Sequence, residues 1–288
     1  MPDMDTARSE QLPQGPVVDA DWLADHLDDV VVVDASIMGE RGAATGIPGA
    51  RRFDLDGPLS DQEADIPHTM LGADDFAQRL GELGIGDETV VVAYDRQGLF
   101  SSARAWWMLR AAGVGTPYVL DGGLPAWIAS GRPEGPLDDS PEPVAAPRVQ
   151  LDPRAFTDAD DVARRLAEHD GAVADARSAE RFAGTAPEPR PRLRAGHMPG
   201  AVSLPFSDLA PGGHLLQPAE LDDLLQQRLG GRGPVAFSCG SGVSACVGAL
   251  AAVAAGWEDR DLTIYDGSWS EWGRETEDLA LRPVVRGS

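Results

Sequence analysis

The segment Cys239–Cys246 reads Cys-Gly-Ser-Gly-Val-Ser-Ala-Cys and combines a thiol with small residues that leave backbone amides accessible. An apolar run at 234–238 precedes it and a nearly all-apolar run at 247–255 follows, which predicts a buried strand, a tight loop and a buried helix. Loop amides and the positive end of that helix favour an anionic sulfur at Cys239. Cys239 is therefore a candidate nucleophile; the alternative is a small buried core residue.

Cys246 lies seven residues further on, within the apolar run, and we predict that it fills the core. Two cysteines at this spacing fit neither a disulfide scaffold nor a usual zinc or thioredoxin-like motif. The five histidines are scattered without metal-ligand spacing. We therefore expect no metal site.

The composition limits the classes of partner. A length of 288 residues suits two ordinary domains, and a net charge of -23 argues against nucleic acid and against an anionic membrane surface. The chain has no lysine, so an anion site must use arginine, histidine, backbone N–H groups or helix ends. The segment Met1–Arg8 has no apolar region, and no apolar stretch reaches transmembrane length. We expect a cytoplasmic protein without a signal peptide.

The second half of the chain repeats the first. Four motifs recur 141 to 151 residues apart, matching Asp34 with Asp175, Gly49 with Gly200, Asp95 with Cys239, and Trp127 with Trp272. A repeat of this size indicates a duplicated domain rather than a solenoid. Short apolar strands alternate with helical stretches such as 73–83 and 219–229, which predicts an α/β fold with mostly parallel sheets flanked by helices.

The predicted boundaries are residues 1–135 for the first domain and 151–288 for the second. Residues 136–150 between them are rich in proline and acidic side chains and predict an extended linker.

The two copies differ at two informative places. The first carries Asp95 where the second carries Cys239, so it has no nucleophilic sulfur there. The second gains about ten residues, which place four arginines within 181–194. We favour an anion clamp for Arg181 and Arg190, because guanidinium forks bind carboxylates in a bidentate manner. For Arg192 and Arg194 we favour a solvated surface role.

These features resemble the tandem-rhodanese sulfurtransferases, and within them the 3-mercaptopyruvate sulfurtransferases, from about Val18 to Trp272. The mercaptopyruvate branch typically reads Cys-Gly-Ser-Gly-Val-Thr, and only Ser244 departs from it, by one methyl group. The thiosulfate-using branch typically has cationic residues after the cysteine, where this chain has the neutral Gly240 and Ser241. The resemblance thus implies two rhodanese-like domains, the first inactive.

The resemblance also implies residue roles. Cys239 would form a persulfide, and Arg181 and Arg190 would bind the donor's carboxylate and keto oxygen. Asp56 and His68 would reach from the first domain toward Ser241; a turn cap and a surface histidine are the alternative interpretations. The remaining loop residues expected to contact substrate or persulfide are Gly240, Gly242, Val243 and Ser244.

The implied reaction transfers sulfane sulfur from 3-mercaptopyruvate through Cys239 to cyanide or to a thiol acceptor such as thioredoxin or a small thiol, and it requires no cofactor. Thiosulfate sulfurtransferase is the alternative activity, and a non-enzymatic rhodanese-like binding module is a second. A cysteine phosphatase usually needs an arginine six residues after the cysteine, and position 245 is alanine. The intact loop at Cys239 favours an enzyme.

Overall fold

Two five-stranded parallel sheets with the same strand order form the framework of the computed structural model, which describes residues 12–287. The predicted absence of a signal peptide concerns residues outside that range. The strands are β1 Val17–Val18, β2 Val31–Asp34, β3 Thr45–Gly46, β4 Arg51–Arg52, β5 Val90–Tyr94, β6 Thr116–Leu120, β7 Gly135–Pro136, β8 Phe156–Thr157, β9 Ala172–Asp175, β10 Val202–Ser203, β11 Val235–Ser238 and β12 Leu262–Tyr265. The helices are α1 Ala20–Asp25, α2 Ala73–Glu82, α3 Ser102–Ala112, α4 Gly123–Ala129, α5 Ala159–Glu168, α6 Ala179–Ala183, α7 Phe206–Leu209, α8 Pro218–Leu229, α9 Ala245–Ala254 and α10 Ser268–Trp272.

The order of strands confirms the duplication. The first sheet runs β1-β6-β5-β2-β4 and the second runs β8-β12-β11-β9-β10, so each strand of the first copy has its counterpart at the same place in the second. All pairings within the two sheets are parallel. The predicted α/β class with two similar domains is therefore correct.

The central strands β5 and β11 carry the residues that differ between the copies. Every residue of β5 and of β11 is buried, as expected for strands covered on both faces. Asp95 follows β5 directly and Cys239 follows β11 directly. Carboxyl ends of central strands are where open α/β sheets place ligands.

The segment that joins the two sheets has little regular secondary structure and lies along the first domain. The N–H groups of Leu137, Val144 and Gln150 donate to carbonyls of that domain at 3.3, 2.9 and 3.0 Å. Pro136 in β7 pairs with Thr45 in the only antiparallel sheet of residues 12–287. The segment is thus attached to the first domain by backbone hydrogen bonds along its length.

Helices α3 and α9 pack against each other and join the two domains through one apolar core. Helix α9 is apolar on all sides, and its first eight residues are buried. Val243, just before α9, packs into the core of the first domain. Through this packing, the loop after Cys239 contacts the first domain. No helix of the described residues is long and apolar enough to cross a membrane.

Candidate active site

The sulfur-bearing residue lies at the base of a loop between β11 and α9. Cys239 is 2% exposed and directly follows the central strand β11, and Ser241 and Ser244 are also buried. The N–H groups of Gly240, Ser241, Val243 and Ser244 donate to no other residue of 12–287. They therefore remain available to an anion on the sulfur.

One hydroxyl outside the loop fixes its shape. Ser268 Oγ accepts the N–H groups of Cys239 and Gly242, each at 3.1 Å, and donates to the carbonyl of Tyr265 at 2.7 Å. Ser270 Oγ donates to the carbonyl of Gly240 at 2.6 Å. The N–H groups of Cys239 and Gly242 are thus used within the protein, whereas those of Gly240, Ser241, Val243 and Ser244 have no acceptor among residues 12–287.

Both predicted clamp arginines lie beside the loop. A Cβ atom added to Gly240 would be 3.2 Å from an Nη atom of Arg181 and 3.9 Å from one of Arg190. Burial lowers the pKa of Arg190, while the nearby Cys239 and Asp56 act to raise it. Glycine at 240 therefore gives two guanidinium groups room close to the sulfur.

The two arginines differ in their partners. Arg181 Nη2 is 2.6 Å from Oε2 of Glu188, whose side chain is 2% exposed and also binds the buried Arg177 at 2.8 Å. Arg177 in turn contacts Asp175 at the end of β9 and lies 4.1 Å from the ring centroid of Trp269. Glu188 thus fastens the inserted loop to the core.

Arg190 makes no hydrogen bond and no ion pair with residues 12–287. Its charge is therefore less neutralised than that of Arg181. Arg194 donates to the carbonyls of Trp272 and Gly273, which is a structural role, and Arg192 is exposed.

A carboxylate, an imidazole and a hydroxyl form a chain across the domain boundary. His68 Nε2 lies 2.8 Å from Oδ1 of Asp56, and His68 Nδ1 lies 2.9 Å from Oγ of Ser241. Because an ionised carboxylate only accepts, Nε2 carries the hydrogen and Nδ1 accepts from Ser241. The neighbouring Asp54 is bound to Arg41, which leaves Asp56 to the histidine.

The protonation states of this chain follow from its surroundings. Burial lowers the pKa of His68 and outweighs the opposing effect of Asp56; the cations Arg190 and Arg104 lower it further. Burial raises the pKa of Asp56, but hydrogen bonds from His68 and the N–H of Met38 outweigh burial, so the pKa is lowered overall. At neutral pH the pair is a neutral imidazole beside a carboxylate.

A buried arginine of the first domain supports both halves of the site. Arg104 in α3 is fully buried and donates to the carbonyl of His68 at 2.8 Å and to that of Gly242 at 3.3 Å. Its Nη2 lies 2.7 Å from Oδ1 of Asp266, whose other oxygen accepts the N–H of Met70 at 2.8 Å. Arg104 thus links the histidine segment to the cysteine loop.

Cys246 has the core position that its sequence context predicts. It is fully buried in α9, and its Sγ lies 3.3 Å from the carbonyl of Gly242. Burial raises the pKa of Cys246 to about 12, against the opposing effect of Arg104. Cys246 therefore remains a thiol.

The structure brings together Cys239, Ser241, His68, Asp56, Arg181 and Arg190, all predicted from sequence. Sequence reasoning missed Arg104, Glu188 and Ser268. A charged residue inside the apolar run of α3, and the only acidic residue of the arginine-rich insertion, were signals for the first two. Residues 12–287 contain no group of three metal-ligating side chains. The assembled groups suit nucleophilic attack by sulfur on an anionic donor with proton relay.

Known proteins with related sequences and structures match over most of the chain. The rhodanese-like domain profile matches residues 19–130 and 158–275. The 3-mercaptopyruvate sulfurtransferase of Escherichia coli K12 is 38% identical over 289 residues, covering 93% of this chain and 98% of that protein. The human 3-mercaptopyruvate sulfurtransferase is 42% identical over 230 residues, covering 78% and 76%. The crystal structure of SseA from Escherichia coli superposes with a TM-score of 0.75 at 34% identity, covering 90% and 100%.

Proposed function

This chain belongs to the rhodanese family and has the sulfurtransferase activity of the 3-mercaptopyruvate branch, and we propose that Cys239 carries the transferred sulfur. The observation behind this assignment is the loop of Cys239, which leaves four amide groups without acceptors beside the thiol. Cys246 lacks such surroundings, and Asp95 replaces the cysteine in the first domain. Of the two cysteines, Cys239 therefore has the surroundings that a persulfide anion requires.

We assign donor binding to Arg181 and Arg190. Their guanidinium groups flank Gly240, where the carboxylate and keto oxygen of 3-mercaptopyruvate would lie next to the sulfur of Cys239. Because Arg181 already binds Glu188, Arg190 is expected to contribute more to substrate affinity. Glu188 would then orient the guanidinium group of Arg181 and partly neutralise its positive charge.

In the first step, the Cys239 thiolate attacks the sulfur of 3-mercaptopyruvate. A sulfur–sulfur bond forms, the donor's carbon–sulfur bond breaks, and pyruvate departs as its enolate. Arg190 and Arg181 stabilise the negative charge that develops on the enolate oxygen. The amides of the loop then hold the persulfide anion.

The proton is moved by the chain of Ser241, His68 and Asp56. The neutral imidazole takes a proton through Ser241 from the donor's thiol, and Asp56 stabilises the imidazolium. The same proton returns to the enolate carbon and gives pyruvate, so atoms and charges balance. A buried imidazole with a lowered pKa returns its proton readily.

An acceptor thiol or, in an assay, cyanide then attacks the outer sulfur of the persulfide. The sulfur–sulfur bond breaks, the outer sulfur passes to the acceptor, and Cys239 is released as a thiolate. Thioredoxin remains a proposed acceptor.

We also propose that the two domains comprise residues 1–135 and 151–288, with residues 136–150 as the linker between them.

Mass spectrometry of the intact protein tests the assignment. Treatment with 3-mercaptopyruvate in the absence of an acceptor should add one sulfur atom to the wild type and to Cys246→Ser, and none to Cys239→Ser. Parallel kinetics with thiosulfate should give a lower kcat/KM than with 3-mercaptopyruvate. Loss of the adduct in Cys246→Ser alone, or a preference for thiosulfate, would overturn the proposal.

A further inference from the structure

A cavity of about 400 Å³ opens beside the cysteine loop and between the two domains. Its volume is within the usual range for small-molecule sites. The first domain contributes the segment around Asp65, and the second contributes the arginine-rich insertion together with residues 270–276. The assigned donor-binding groups leave most of this space without a role.

Charged side chains of both signs line the cavity without pairing to one another. Arg190, Arg192, Asp65 and Glu275 form no ion pair with any residue of 12–287. Arg274 donates to the carbonyls of Asp65 and Ser270, so no carboxylate neutralises its charge. By contrast, Arg177 and Arg181 are paired with carboxylates, and Arg194 donates to backbone carbonyls. A cavity with unpaired cations and anions fits a ligand that carries both charges.

The backbone places opposite charges at adjacent positions on the rim. The N–H of Glu275 donates to the carbonyl of Arg192 at 3.1 Å, which holds these two residues side by side. Arg192 has a left-handed φ of 59°, a conformation that costs free energy for a residue other than glycine and is maintained by its surroundings. Both residues are exposed and reachable by a ligand.

The cavity adjoins the sulfur-carrying loop. Ser270 lines the cavity and its hydroxyl donates to the carbonyl of Gly240, the residue next to Cys239. Arg190 lines the cavity and also approaches Gly240. Two residues of the cavity wall thus approach Gly240, which follows the sulfur-bearing residue directly.

We propose that this cavity is the acceptor site and that it selects a zwitterionic low-molecular-weight thiol of the α-amino acid type. The arginines, chiefly Arg192, would bind the acceptor's carboxylate, and Glu275 with Asp65 would bind its ammonium group. This inference rests on the proposed function of Cys239. The acceptor sulfur attacks the outer sulfur of the persulfide, the bond to Cys239 Sγ breaks, and Cys239 leaves as a thiolate. The acceptor's thiol proton ends on the new persulfide, and no external oxidant or reductant is required.

A matched series of thiols tests the proposal. Cysteine carries both charges, 3-mercaptopropionate lacks the ammonium group, cysteamine lacks the carboxylate, and 2-mercaptoethanol lacks both. The enzyme is loaded with sulfur, freed of donor, and mixed with each thiol, and the rate of persulfide loss is measured against thiol concentration. Comparing variant with wild type for each thiol cancels the different intrinsic reactivities of the thiols.

Arg192→Gln should raise the half-saturating concentration about two- to fivefold for cysteine and 3-mercaptopropionate only, the effect of an exposed ion pair. Glu275→Gln should raise it by a similar factor for cysteine and cysteamine only. Arg148→Gln and Glu88→Gln make the same charge changes at exposed positions outside the cavity and should leave all four thiols unaffected.

Equal shifts for all four thiols, no shift for any, or the same shifts in the control variants would each overturn the acceptor site. A raised half-saturating concentration of 3-mercaptopyruvate in Arg192→Gln during loading would assign the cavity to the donor and would also overturn it. Failure of the wild type to take up sulfur would instead refute the proposed function of Cys239. The two failures are therefore distinguishable.

Discussion

Replacing Arg104 with methionine tests whether the first domain organises the sulfur site. Methionine keeps an unbranched apolar side chain and removes the guanidinium, so the change leaves Asp266 without its buried cation. It also leaves the carbonyls of His68 and Gly242 without their donor. No other residue of 12–287 bridges these three groups.

The size of the effect on folding follows from burial. Arg104 is fully buried, whereas the side chain of Asp266 is 17% exposed. Removing one partner of a buried ion pair costs about 3–5 kcal/mol. Because Asp266 is partly exposed, we expect the free energy of unfolding to fall by about 3 kcal/mol, the lower end of that range. Arg110→Met in the same helix removes a partly exposed, surface-paired arginine and should cost less than about 1 kcal/mol.

The Arg104→Met variant should also lose catalytic activity, because Arg104 contacts the segment that carries His68. A hydrogen bond to a charged donor contributes about 1.5–3 kcal/mol, so loss of the contact with His68 predicts a kcat/KM about ten- to a hundredfold lower. Burial lowers the pKa of His68 and Arg104 lowers it further, so the acid limb of the pH profile should move to higher pH in the variant. Arg104→Lys keeps the charge and should recover part of both effects.

The assays are denaturant unfolding and the pH dependence of kcat/KM, measured on Arg104→Met, Arg104→Lys and Arg110→Met. Stability is compared at one pH, and kinetics are measured where each variant is fully folded. If Arg104→Met loses less than about 1 kcal/mol and keeps the wild-type pH profile, the bridge has no energetic importance. A stability loss with an unchanged pH profile would limit Arg104 to a structural role.

Three further predictions concern the groups around the sulfur. Because burial lowers the pKa of His68 below its unfolded value of about 6.5, the unfolded chain binds more protons and stability falls as pH drops below about 6.5; His68→Gln should lose less between pH 7 and 5 in denaturant unfolding. Arg190→Ala should lower kcat/KM for 3-mercaptopyruvate by about ten- to a hundredfold, and Arg181→Ala by less because Glu188 already shares its charge; equal losses in pyruvate-release assays would contradict this. A fragment beginning at Leu151 should lose nearly all thiocyanate-forming activity, because it lacks the histidine; full activity would remove that residue from the mechanism.

Much of the fold was predictable because its signals are local. The apolar run before Cys239, the small residues of the loop and the apolar run after it set a strand, a turn and a helix, found at Val235–Ser238 and Ala245–Ala254. The recurring motifs predicted two copies, and the two sheets have the same strand order. Periodicity located helix α8 to within one residue at its start.

The support of the site was not predictable, because it depends on pairs that are distant in sequence. Arg104 lies 138 residues from Gly242 and 162 from Asp266, and although its apolar neighbours in α3 indicate that it is buried, they do not reveal which groups it contacts. Likewise, the hydroxyl of Ser268 is important only because the loop folds back onto it. Such roles arise from burial, which fixes polar partners that sequence spacing does not reveal.

The first domain shows why the loop alone does not define activity. Asp95 occupies the position of Cys239, and its carboxylate accepts the N–H groups of Gln97, Phe100 and Ser102 at 2.8 to 2.9 Å. The hydroxyl of Ser102 donates to it as well, at 2.8 Å. The carboxylate of Asp95 thus accepts two N–H groups whose counterparts, those of Ser241 and Ser244, have no acceptor among residues 12–287 in the second domain. We therefore expect the same backbone arrangement to stabilise negative charge in both copies. In the first copy the charge is on the fixed carboxylate of Asp95, whereas in the second it would be on the sulfur that Cys239 accepts and then transfers.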